Sequence, residues 1–140
     1  SCGFDPTAVS DLIFNSNPLE KIKMLQQVLT TLEIHLDGQV ATIFYRKSFM
    51  EKLQLKDVDT EDVVAIVRSI YGVNMTIFFK EMETDQFRVS IRSRGQANAQ
   101  FVASRFEGGG HQHAAGFNFT GSIEQGIASV LDVIASHLEK

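Results

Sequence analysis

Apolar and polar positions follow two rhythms along this chain, and the rhythm changes at turn-forming residues. Ile22, Leu25, Leu29 and Leu32 recur at helical spacing. Asn17, Pro18 and Glu20 precede them as cap, first-turn proline and back-reaching carboxylate, so a helix starts here. Asp5-Pro6 opens a shorter one, with Val9, Leu12 and Ile13 on its apolar face. Asp37-Gly38 is a hairpin signal between Ile34 and Leu36 on one side and Val40–Tyr45 on the other, which predicts two paired strands. A short helix is expected over 48–53. Asp59 or Thr60 can cap the next helix, whose stripe of Val63, Ile66, Val67 and Ile70 ends at Gly72.

The period then shortens to two. Residues 74–79 are apolar on both faces, as in a central strand. A turn at Thr84-Asp85-Gln86 leads into a strand of clean alternation. Phe87, Val89, Ile91 and Ser93 share one face; Arg88, Ser90, Arg92 and Arg94 share the other. Ala99, Val102, Ala103 and Phe106 restore helical spacing and deliver the chain to Gly108. A short turn through 111–115 and a strand over 117–120 follow. Ser122 and Gln125 form a capping box for a closing helix with Ile123, Ile127, Val130, Leu131, Ile134 and Leu138 inward. Strands interleaved with helices predict an α/β or α+β layer, a mixed sheet of about five strands with helices packed on it.

With 140 residues and 44% apolar content the chain suits one domain with a real core. No apolar run approaches the ~20 residues of a membrane span, and the N-terminus lacks the basic-then-apolar pattern of a secretory signal. Cys2 is the single cysteine, so no internal disulfide can form, in keeping with a cytoplasmic location. The net charge of −4 argues against a general nucleic-acid coat protein. Its distribution changes the picture. Residues 86–120 carry Arg88, Arg92, Arg94 and Arg105 against Glu107 alone, a local charge of +3. A small basic island in an acidic chain reads as a local anion site, against chance clustering of surface arginines.

The candidate chemistry gathers at Glu107-Gly108-Gly109-Gly110-His111-Gln112-His113-Ala114-Ala115-Gly116-Phe117. Three glycines leave backbone N–H groups unshielded, and the small residues that follow let a ligand approach the main chain. A tight turn joining helix to strand is the plain alternative. Three arginines on one strand face repel unless solvent or an anion lies over them. The spacing of His111 and His113 suits two zinc ligands, but His35, His137 and Cys2 offer no third at a supporting spacing. Phe44, Phe78, Phe79 and Phe101 could stack on bases, with core packing the plainer reading. The acidic run 57–62 suits a solvated helix start.

The segment Gly108–Phe117 resembles the GGGHxxAAGF segment of the DHHA1 domain, the C-terminal half of DHH-type phosphoesterases. Ser90-Ile91-Arg92-Ser93 is similar to that domain's SxRS strand, in the same order and at a fitting separation. The resemblance covers the chain roughly from residue 17 to its end. It implies that residues 1–33 are connecting helices from a preceding catalytic half and that 34–140 form a DHHA1-like substrate-binding domain. By the matching motifs, Ser90, Arg92, Gly108, Gly109, Gly110 and His111 would bind substrate phosphate. Arg94 and Asn98 are added on position and charge alone.

The resemblance further implies a manganese-dependent enzyme acting on short oligonucleotides or small nucleotides, with its metal held by aspartates and histidines of the other half. No Asp-His-His triplet occurs here, so the chain alone is expected to hold no metal and catalyse nothing, as a fragment that begins in the connection between the halves. Its expected partners are the phosphate-containing substrate, that catalytic half and a second copy in a homodimer. Two rival readings stand beside this one. One is a free-standing nucleic-acid-binding or dimerising module, since similar domains end alanyl-tRNA synthetases. The other is a polyphosphate-directed relative.

Overall fold

The structure, a computed structural model, describes residues 19–49 and 61–138. In chain order the elements are α1 (Leu19–Leu29), β1 (Glu33–His35), β2 (Val40–Tyr45), α2 (Glu61–Arg68), β3 (Met75–Glu83), β4 (Gln86–Ser93), α3 (Ala99–Ser104), β5 (Gly109–His111), β6 (Ala114–Thr120) and α4 (Ile123–Leu138). The strands form one sheet in the order β1-β2-β3-β4-β6-β5. Only β2 and β3 pair in parallel; the other four pairings are antiparallel. The sheet is therefore mixed, with six strands where about five were expected.

The extra strand is β5, part of the glycine triplet. Glycines carry no side chains to alternate, so the pattern of apolar residues cannot announce them as a strand. The turn expected over 111–115 shrinks accordingly to a two-residue tip, Gln112 and His113, and β6 begins three residues earlier than expected. At the other edge, Leu36 leaves β1 for the turn. Leu36, Asp37 and Gly38 all have positive φ, and the Gln39 N–H donates to the Leu36 carbonyl at 3.2 Å. The helix expected from Asp5-Pro6, the caps at Asn17, Asp59 and Thr60, and the helix over 48–53 beyond Phe49 lie outside the described residues.

Two apolar cores lie on opposite faces of the sheet. On one face, Val40, Met75, Ile77, Phe79, Val89, Ile91 and Phe117 pack under α3 and α4, which contribute Val102, Ala103, Val130 and Ile134. Each large aliphatic side chain so buried contributes roughly 1.5–3 kcal/mol. On the other face, Ala41, Ile43, Tyr45 and Phe78 pack under α1 and α2, which contribute Met24, Leu25, Val28, Val63, Val64 and Val67. The α1 stripe is rotated from the expected one: Ile22 is 40% exposed and Met24 is buried. The core residues of this second face come from β2 and β3 rather than from β4, β6 or β5. That difference decides where the site lies.

Candidate functional site

Alternation along β4 sends Phe87, Val89 and Ile91 into the α3–α4 core, so Arg88, Ser90 and Arg92 take the opposite face. Register carries that face across the neighbouring strands, because residues directly opposite one another share a face. Thr76, Arg92, Ala114 and His111 form one row across β3, β4, β6 and β5. Phe78, Ser90, Gly116 and Gly109 form the next. Lys80, Arg88 and Asn118 form a third. Arg92 and His111 are thus brought together from distant positions, two strand spacings or about 10 Å apart at the backbone. The small side chain of half-buried Ala114 lies between them, and Gly116, buried, follows in the next row. The result is a shallow trough with a guanidinium on one wall and an exposed imidazole on the other.

Each arginine on this face has a protein partner, which is how the like charges coexist. Arg92 Nη2 donates to Glu61 Oε1 at 2.9 Å and Nη1 to its neighbour's carbonyl at Ile91, 3.1 Å away. Its side chain is 22% exposed and that of Glu61 64%. Arg94 Nη2 donates to the carbonyl of Arg68 at the end of α2. A cation suits the carbonyl end of a helix, so Arg94 ties β4 to α2. Arg88 Nη1 reaches Asn118 Oδ1 at 3.4 Å.

The glycine triplet divides by what a side chain would meet. A Cβ on Gly108 would lie 2.2 Å from the Gly116 oxygen, and one on Gly110 2.6 Å from the Ala114 oxygen. Gly110 also has φ +146°, a region that favours glycine. These two are glycines because β5 lies hard against β6. Gly109, in contrast, has nothing within 4 Å of an added Cβ. The Gly108 N–H donates to the Ala103 carbonyl at 2.9 Å, closing α3 with Glu107 at φ +62°. That N–H is therefore already used, while Gly109 and Gly110 lie in the edge strand β5.

Around the trough the backbone is fixed. Ser93 N–H donates to the His113 carbonyl and its Oγ to the Gln112 carbonyl, both at 3.0 Å. The Ala99 N–H also donates to Gln112 at 2.6 Å. His113 Nε2 lies 3.1 Å from the Gly95 carbonyl. Asn98 caps α3, its Oδ1 accepting from Phe101 N–H at 3.0 Å, and its own N–H donates to His137 Nε2 at 3.0 Å. Asn98 thus positions the helix that leads to the glycines. Phe78 and Phe79 are core residues, while Phe101 stacks on His137 at 4.9 Å.

Sequence reasoning passed over two participants. Glu61 is distant in the chain and no local pattern points to it. Arg88 shares the alternating face with Arg92, but the SxRS match that singles out Arg92 does not extend to it. Among the described residues, no three or more His, Cys, Asp or Glu side chains gather as a metal site. No helix of the described residues is long and apolar enough to cross a membrane.

The model of a family described as the DHHA1 domain matches residues 37–140. The bifunctional oligoribonuclease and PAP phosphatase NrnA of Thermus thermophilus is 30% identical over 124 residues, 88% of this chain and 36% of that protein. The probable NrnA of Streptococcus mutans is 32% identical over 104 residues, 74% of this chain and 33% of its own length. The chain thus spans about a third of the curated relatives it matches. An exopolyphosphatase-related protein from Bacteroides fragilis superposes with a TM-score of 0.79 at 26% identity, covering 96% of this chain and 40% of that one. The pGpG-specific phosphodiesterase PggH from Vibrio cholerae shares the fold at a TM-score of 0.58 and 10% identity, over 86% of this chain and 39% of its own. The chain belongs to the DHHA1 domain family, the family that Ser90–Ser93 and Gly108–Phe117 resemble.

Proposed function

We propose that this DHHA1 domain grips the phosphate of a short oligonucleotide or small nucleotide for a manganese-dependent phosphoesterase whose metals sit in a separate DHH domain of the same protein. The observation that carries the reading is the row in which Arg92 and His111 face each other across Ala114, beside Ser90, Gly116 and Gly109. An arginine fork meets two phosphate oxygens at once. Ser90 and His111 add hydrogen bonds to phosphate or sugar, and the small side chain of Ala114 leaves room between Arg92 and His111. The relatives named as oligoribonuclease and PAP phosphatase support a nucleotide-sized substrate. In this reading the domain contributes position: it holds the phosphate, and metal ions in the separate domain would activate the nucleophile.

Two measurements test it. The purified chain, given a dinucleotide and manganese, should hydrolyse nothing; turnover that survives removal of contaminating nucleases contradicts the division of labour. Binding of a 5′-phosphorylated dinucleotide should show a shallow salt dependence, with log K falling by about 0.7 per phosphate contacted for each decade of salt. A slope several times steeper would favour the long nucleic-acid footprint of a free-standing binding module. Binding of polyphosphate without response to nucleotides would favour the polyphosphate-directed alternative.

A further inference from the structure

Arg88 is not spent in the protein as Arg92 and Arg94 are. It is exposed, and its contact with Asn118 is long at 3.4 Å. Its backbone belongs to the row of Lys80 and Asn118, but its head group does not stay there. A Cβ built on Gly116 would stand 3.0 Å from Arg88 Nη2 and 3.3 Å from Cζ. The guanidinium therefore leans back over Gly116, into the row of Ser90 and Gly109. That row lies two residues along the strand from Arg92 and His111, a step of about 6.7 Å. The Arg88 guanidinium thus lies over buried Gly116, one such step along β4 from the backbone position of Arg92. Gly109, at the far end of the Ser90 row, leaves open space opposite.

Adjacent phosphates on a single nucleic-acid strand, or phosphates on the 3′ and 5′ oxygens of one ribose, are separated by about this step. We infer that Arg88, with Asn118 behind it, forms a second phosphate subsite, so that the trough selects ligands carrying two phosphates one sugar apart. The inference rests on the reading of the Arg92 row as the first phosphate site. It makes Arg88 a specificity residue. Ligands with one phosphate use the first row alone; a 5′-phosphorylated dinucleotide or a nucleoside 3′,5′-bisphosphate spans both.

The test is calorimetry on the 140-residue chain with a nucleoside 5′-monophosphate and with a 5′-phosphorylated dinucleotide. The wild type should bind the second about tenfold tighter, one charge-assisted contact's worth. In Arg88→Ala that ratio should collapse to near one, and the salt slope for the dinucleotide should become shallower by about 0.7. Arg88→Gln, which keeps the side chain's bulk, should behave likewise, so a folding defect of the alanine variant does not decide the result. A tenfold preference that persists in both variants overturns the assignment. So does a wild type without preference, and if Arg92→Ala still weakens both ligands there, the first phosphate site stands alone. Failure of the wild type to bind either ligand at millimolar concentration overturns both readings together.

Discussion

Gly108, Gly109 and Gly110 are identical in the sequence and have different reasons to be glycine. Side chains at Gly108 and Gly110 would run into the β6 backbone, while one at Gly109 would meet open space on the trough side. Gly108→Ala and Gly110→Ala should each lose about 1–3 kcal/mol in denaturant unfolding, as overpacked sites do. Gly109→Ala should stay within about 1 kcal/mol of the wild type and instead weaken dinucleotide binding. Equal losses of stability at all three would contradict this division. Glu61 makes a second residue-scale prediction. Its carboxylate holds the fork of Arg92 that a phosphate would claim, in a pair more than half exposed on the Glu61 side. Such pairs contribute up to about 1 kcal/mol. Glu61→Gln should then tighten phosphate binding by up to about fivefold; weakened binding would mean that Glu61 orients Arg92 rather than competes for it.

Elements whose residues alternate or repeat were legible in the sequence; elements defined by a neighbour were not. β4 reads directly, because Phe87, Val89 and Ile91 oppose Arg88, Ser90 and Arg92. The capping box of α4 is present as both reciprocal bonds, Ser122 N–H to Gln125 Oε1 at 2.9 Å and Gln125 N–H to Ser122 Oγ at 3.1 Å. β5 was hidden because pairing with β6, not side-chain pattern, makes it a strand. Arg94 and Asn98 were selected for charge and position, which do not reveal that a helix end and a helix start employ them. Asn98 caps α3 and ties it to α4, so Asn98→Ala should cost about 1 kcal/mol and speed amide exchange in α3. Asn98→Asp should restore most of it. Protection in α3 unchanged by the alanine variant would show that the cap does not hold this junction.

Across the whole molecule, helices cover one sheet face through α3 and α4 but bury core residues on the other only over β2 and β3. Among the described residues no helix buries the strip over β4, β6 and β5 on that face, and Arg88 and Arg92 of the basic island lie there, while Arg105 ends α3 over Phe101. The sequence revealed that island and its two motifs, yet the rows that place Arg92 opposite His111 and lean Arg88 over Gly116 exist only in the folded register. Under the covered strip, burial pushes the Tyr45 phenol above its ordinary value, and its hydroxyl has no hydrogen-bond partner among the described residues. The folded chain thus keeps a proton that the unfolded chain releases near pH ~10. That stability is present below this pH and is lost as pH rises toward the folded value. Tyr45→Phe should flatten the alkaline fall without lowering stability at pH 7, as followed by denaturant unfolding across that range; an unchanged alkaline fall would assign it to other groups.

In the proposed reading, β4, β6 and β5 together present a face that grips phosphate. An NMR titration of the chain with a 5′-phosphorylated dinucleotide, repeated on Arg92→Ala and His111→Ala, tests it most directly. Shifts confined to residues 88–94 and 108–113, and weakened by either substitution, are the predicted result. No shifts at millimolar ligand, or shifts on the α3–α4 face indifferent to both substitutions, would contradict it.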